Sequence, residues 1–121
     1  MSNLVVSNIS DGSTSVGTDY VVNGSAKAWI DVSSSSIINA SFNVTSGTDH
    51  GTGDYSYALT SSMLTENYSL PVSAITGNFD RNATANGNRI TASVMAVITS
   101  NARLNIATDQ SHNAIIHGDL A

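Results

Sequence analysis

No cysteine occurs among the 121 residues, so neither a disulfide nor a thiolate metal site can hold this chain together. That absence does not by itself place the chain inside a cell. Cations are scarce as well: Lys27, Arg81, Arg89 and Arg103 stand against nine acidic residues, a formal net charge of −5. The three arginines are scattered, which disfavours nucleic acid as a partner, because that affinity comes from clustered cations neutralising phosphates. No apolar run is long enough to span a membrane, and the opening MSNLVVSNISDG has neither a basic lead nor a long apolar stretch. Synthesis in the cytoplasm without a signal peptide, and no membrane insertion, are the expectations. Aromatic residues make up only 6%, with Trp29 the one tryptophan, which leaves Val, Ile, Leu and Ala to build the core. Those residues suit stacked pleated sheets better than helices. No helical heptad is present, and Thr60 to Asn67 has room for one turn at most.

Charged residues are also few, at 11% against the ~25% of an ordinary domain, and Ser, Thr and Asn take the outward strand positions. Burial of much of the surface between identical subunits would account for this, since an unpaired charge desolvated at an interface is costly. So would a neutral adhesive surface facing the outside of a cell, and so would low charge of no consequence.

What the chain does have is alternation. Its length fits one domain with a modest core. Residues 1–24 form a distinct opening, in which Leu4 and Val6 alternate with Val5 and Ile9 in a first short strand, and a Gly, Ser and Thr loop runs from Asp11 to Thr18. Apolar residues on both faces of that strand predict a cover on both sides. Residues 25–121 then lay out strands at intervals near ten residues. Ala26, Ala28, Ile30 and Val32 make one face of a strand, and Lys27, Trp29 and Asp31 the other. The segment from Asn39 to Tyr57, NASFNVTSGTDHGTGDYSY, reads as a half-buried hairpin: Ala40, Phe42 and Val44 on one arm, Tyr55, Tyr57 and Leu59 on the other, with Gly47, Gly51 and Gly53 in the turn. Tyr68, Leu70 and Val72 form the next inward set, with Pro71 placing that strand at an edge or at its own irregular start. Thr76 to Asn88 reads as a loop. Ile90, Ala92, Val94, Ala96 and Ile98 alternate over the longest strand, whose other face is partly apolar through Met95 and Val97, as for a central strand covered twice. Leu104 and Ile106, then Ala114 and Ile116, complete about seven or eight strands. The pattern is that of an all-β, antiparallel β-sandwich, jelly-roll-like or Ig-like.

Asp49, His50 and Asp54 are the one dense group of ionisable side chains. They could ligate a metal, above all if a threefold axis gathers three copies, but the flanking glycines favour a turn role, and no metal or other cofactor is expected. A glycosidase would need two carboxylates about 5–9.5 Å apart across a sugar ring. Asp49 and Asp54 are the candidates, but with Glu66 the single glutamate and no aromatic cleft readable, hydrolysis is disfavoured. His112 and His117, five apart in a strand, fall on opposite faces and cannot chelate one ion; isolated surface or interface histidines are the better account. Neither GxSxG, nor a phosphate loop, nor GxGxxG is present, so no catalytic residue is assigned. Trp29 could stack on a sugar or be buried against another sheet or subunit, and packing is preferred. Phe42, Tyr55 and Tyr57 join it as packing or interface residues.

The ordered set GSAKAWI (Gly24–Ile30), SFNVTSGTDHGTGDYSY (Ser41–Tyr57), ENYSL (Glu66–Leu70) and AIIHGDL (Ala114–Leu120) resembles a small β-sandwich module of tail-fibre and other appendage proteins of tailed bacteriophages. It departs from that module in the Ser33–Ser36 run and in Pro71. The resemblance implies a non-enzymatic virion protein, a homotrimer mounted on other virion proteins through residues 1–24. It implies a small tail fibre or fibre tip that contacts a host surface glycan or protein. The receptor contacts expected are Asp49 and His50 in the turn and Asn78, Asn82, Asn86 and Asn88 in the asparagine-rich loop. A head decoration, collar or tail adaptor protein is the alternative, and a small carbohydrate-active enzyme a third.

Overall fold

The structure, a computed structural model, describes residues 1–77 and 79–121. Among these, the elements run β1 (Asn8–Ser10), β2 (Ser15–Gly17), α1 (Thr18–Gly24), β3 (Ala28–Val32), β4 (Ile38–Phe42), β5 (Val44–Gly51), β6 (Asp54–Leu59), β7 (Val72–Ala74), β8 (Arg81–Ala85), β9 (Val94–Asn101), β10 (Ile106–Ala107) and β11 (His112–Ile116). The protein is therefore mostly β, and its named strand pairs are antiparallel. One sheet has the order β4-β3-β11-β7; a larger one has β10-β9-β6-β5 with β8 also on β9; β1 and β2 form a small hairpin of their own.

Alternation explains which faces are buried. Ala28, Ile30 and Val32 of β3 and Ala114 and Ile116 of β11 point inward, and so do Tyr55, Tyr57 and Leu59 of β6 and Met95 and Val97 of β9. These residues of both sheets, with Met63, make one hydrophobic cluster. Full burial of an Ile, Val or Met side chain is worth roughly 1.5–3 kcal/mol relative to exposure, so these four strands carry most of the apolar driving force. Tyr68, Leu70 and Val72 pack against the cluster as their spacing predicts, and Pro71 immediately precedes β7, the edge strand of its sheet. There the missing N–H costs no ladder bond, while the Pro71 carbonyl accepts from the Ile115 N–H at 3.1 Å.

Four expectations need correction. The first arm of the 39–57 segment is not the partner of the second: β4 pairs with β3, and β5 pairs with β6. The chain changes sheet at Asn43, whose φ of 58° is left-handed. That twist breaks the alternation, so Phe42 is 55% exposed while Val44 packs on the core. Secondly, the 90–98 strand starts only at Val94, because Thr91 and Val94 bond each other in a tight turn, and its inward set is Met95 and Val97; Ile98 faces out. Ala96 is nonetheless fully buried on the other face, whereas Ile98 on that face is 41% exposed, so the cover expected on both faces is only partial on this one. Thirdly, the 76–88 loop contains β8, whose small residues pair with β9 from Arg81↔Asn101 to Ala85↔Val97. Fourthly, residues 1–24 are a hairpin and a helix. Leu4, Val5 and Val6 precede β1, and the expected loop from Asp11 to Thr18 contains β2 and ends on the first residue of α1. Asp11 closes the hairpin by accepting from the backbone N–H of Ser13 and Thr14 at 3.0 and 2.8 Å.

Strand directions give the molecule two ends. β3 starts and β11 finishes at one end, where Lys27 N–H donates to the Ile116 carbonyl at 2.8 Å. Residues 1–24 join there, held by a bond from His117 Nδ1 to the Gly24 carbonyl at 3.0 Å. The Ser33–Ile37 turn, the Gly51–Gly53 turn and the start of β8 lie at the other end.

Candidate functional site

The acidic turn is built by backbone constraint. Gly53 has φ +69°, and a Cβ there would sit 2.3 Å from the Thr99 carbonyl oxygen. Its N–H donates to Asp109 Oδ1 at 2.7 Å, and the same oxygen accepts from the Tyr55 hydroxyl at 2.6 Å. The Tyr55 hydroxyl, followed by the Gly53 N–H, holds the Asp109 carboxyl below the usual carboxylate range. Burial first, and then Asp109, pushes the Tyr55 phenol up to about 12.

The three ionisable side chains of this region do not converge. Asp49 is registered against the inward-facing Tyr55 and accepts from Ser36 Oγ at 2.9 Å, which ties the Gly51–Gly53 end to the Ser33–Ile37 turn. Asp54 is on the opposite face, registered against the exposed Ile98, and holds Arg89 at 2.9 Å and the Asn86 amide at 3.0 Å. The Arg89 hydrogen bond is the main reason its carboxyl is held low. His50 Nε2 meets Ser56 Oγ at 2.8 Å. Asp49 and Asp54 thus cannot flank one sugar ring, and no group of three His, Cys, Asp or Glu side chains suited to a metal occurs among the described residues.

The asparagine loop divides. Asn82 is on β8 and accepts a hydrogen bond from Ser100 Oγ. Asn86, expected as a contact, is buried because its amide braces Asp54. Asn88 is exposed in the turn after it, and Asn78 lies outside the described residues.

His112, expected at a surface or interface, is wholly buried. The Gln110 carbonyl, 2.8 Å from Nδ1, can only accept, so Nδ1 carries the proton, and Nε2 accepts from the Tyr57 hydroxyl at 2.6 Å. The ring stacks on Tyr55 with centroids 5.0 Å apart. Burial lowers the His112 pKa and raises that of Tyr57. A Tyr–His pair open to substrate could move a proton; this one is sealed in the core. His117 is on the opposite face of the strand, as the spacing requires.

Trp29, expected to pack against another sheet or subunit, is on the outward face of the four-stranded sheet and 39% exposed, so within one chain no second sheet covers it. Phe42 on one side and Ile115 on the other are its cross-strand partners, so the three form an apolar row in the open. Beside Phe42 the row meets a cleft of about 420 Å³ lined also by Lys27, Asn43, Thr60, Ser61 and Leu120. Tyr55 and Tyr57, by contrast, do pack inside.

The sequence reading missed Asn43, Arg89 and Asp109. Asn43 Nδ2 donates to the carbonyls of Lys27 and Ser61, both at 3.0 Å, and Oδ1 accepts from Ser61 N–H at 2.7 Å. Asparagine tolerates the left-handed backbone better than most residues, but nothing in the alternation around it marked this position. No protein-family model, curated protein or solved structure matches the chain.

Proposed function

We propose that the protein is a virion protein of a tailed bacteriophage, a small tail fibre or fibre tip that contacts the host surface without catalysis. In this reading the two larger sheets form an antiparallel β-sandwich over residues 25–121, three copies associate, and residues 1–24 are the mounting or trimerisation segment. The observation that carries it is the difference between the two ends. At one end, Leu4, Val5, Tyr20 and Val22 are 61–90% exposed and α1 buries nothing, so the segment needs a cover from outside its own chain. At the other, the Ser33–Ile37 and Gly51–Gly53 turns offer small serine, threonine and glycine residues beside the exposed Ile37, Phe79 and Leu104 and the charged Asp49, Asp80, Arg81 and Arg103, a mixed surface that suits contact with another molecule. Three weak contacts on one particle gain through effective concentration what each lacks alone.

The test is binding of the purified protein to host cells together with its position on intact particles. Binding that is reduced by replacing Ser33–Ser36 and Thr52 with bulky residues, and label at the distal tail, is the expected result. Tight binding to phage heads with none to cells would instead make it a decoration or adaptor protein. Light scattering that shows a monomer at high micromolar concentration would remove the trimer.

A further inference from the structure

We infer that the outer face of the β4-β3-β11-β7 sheet is a binding site for a neutral pyranose sugar, with Trp29 and Phe42 as the stacking platform. The two rings are direct cross-strand partners, 39% and 55% exposed, and Ile115 extends the row on the far side of Trp29. A sugar presents the weakly positive C–H groups of one ring face, which match the negative face of an aromatic ring. The next row on the same face is polar: Asp31 is registered against Ala40 and Asn113, and Asn113 against Ser73. Asn39 Nδ2 donates to Asp31 Oδ2 at 3.5 Å and Ser73 Oγ to Asn113 Oδ1 at 2.6 Å. That leaves Asp31 Oδ1 as an acceptor and Asn113 Nδ2 as a donor side by side. Adjacent sugar hydroxyls offer the complementary pair, each both donor and acceptor. The cleft beside Phe42, lined in part by Thr60 and Ser61, gives room for a second residue of a chain.

Charge decides the class. The Lys27 ammonium is engaged by the Val22 carbonyl and by the carbonyl and hydroxyl of Ser25, and His117 Nδ1 by Gly24. Lys27 is still a cation, but those neutral acceptors hold it on the 22–25 side of Trp29, so Asp31 is the charge beside the polar row, which disfavours a phosphate or carboxylate seated there. The site lies on the sheet and not in the end turns, and it rests on the proposed function only for the source of the sugar.

Because Trp29 is the chain's one tryptophan, its fluorescence reports this site alone. Purified full-length protein is titrated with methyl glucoside, galactoside and mannoside of both anomers, with neutral disaccharides and with glucuronic acid. The expected result is a saturable change in Trp29 emission with at least one neutral probe, with glucuronic acid at least tenfold weaker. By calorimetry, Trp29→Ala loses binding, Trp29→Phe retains part of it, and Asn113→Ala weakens it about tenfold, with circular dichroism unchanged in each. No response to any probe overturns the inference. So does Trp29 emission that is already blue-shifted and depends on protein concentration, because then a second copy covers the face. Sugar binding without attachment to host cells would leave the site standing and remove the phage reading alone.

Discussion

The pair Tyr57 and His112 shows how much one polar contact matters when nothing else can reach it. Both side chains are at most 2% exposed, and each completes the other's hydrogen bonding. Tyr57→Phe leaves Nε2 of His112 buried without a donor, which costs about 1–3 kcal/mol. Losing both partners together costs less than the sum, because neither then leaves the other unpaired and the Gln110 carbonyl loses its donor only once. Urea unfolding of Tyr57→Phe, His112→Leu and the double variant checks this: the double should be less destabilised than the two singles added. A simple sum would mean that the bond contributes nothing beyond packing. Alternation alone located Tyr57 on the inward face. It could not reveal His112, because an inward histidine reads like any polar residue until the phenol opposite it, 55 positions away, is known.

At the level of elements, the strands that the sequence made legible are those whose inward positions are apolar in strict alternation: β3, β6 and, from Ala114, β11. β8, with Asn, Ala and Thr, was hidden because its residues have little strand preference of their own and are ordered by pairing with the apolar β9. The β4–β5 corner was hidden for another reason. Asn43 continues the expected spacing of the strand, but its left-handed backbone sends the chain into the other sheet, and three side-chain bonds fix it there. Asn43→Ala removes those bonds and puts an alanine in the left-handed region, a loss of roughly 2–3 kcal/mol. Asn43→Gly keeps the turn without the bonds and should fall between the two. Thermal melts of the three proteins measure the order; an Ala variant as stable as the parent would refute the corner's role. The Arg89–Asp54 pair was illegible for the plainer reason that its members are 35 residues apart. It is also part-exposed and contributes little by itself.

For the whole molecule, the buried imidazole sets a pH dependence. His112 has a lowered pKa in the fold, so between that value and the unfolded value of about 6.5 the unfolded chain binds the extra proton. Stability contributed by the neutral ring is complete above that unfolded value and falls as pH drops through the folded one. Tyr55 and Tyr57 face the ring uncharged, and Asp31, whose charge opposes the shift, is outside the core. Asp54 and Asp109 act later, because their lowered values preserve stability until pH falls below about 3.8. Urea midpoints measured from pH 8 to 3 should therefore decline in two stages. His112→Gln should flatten the first and leave the second; a first stage that survives the substitution would assign it to another group.

The pairing of Ala28 with Ile116 also fixes how the protein bears load. Chain entering β3 and chain leaving β11 emerge side by side, so tension between Lys27 and His117 peels two antiparallel strands apart one rung at a time. Tension between Lys27 and the Gly51–Gly53 turn is borne along the strands, where several rungs must break at once. An optical trap attached at those two pairs of positions should record a higher unfolding force for the second. A body held at its entry point and pulled from its far turns is thus strong in that direction and weak when both its ends are drawn apart.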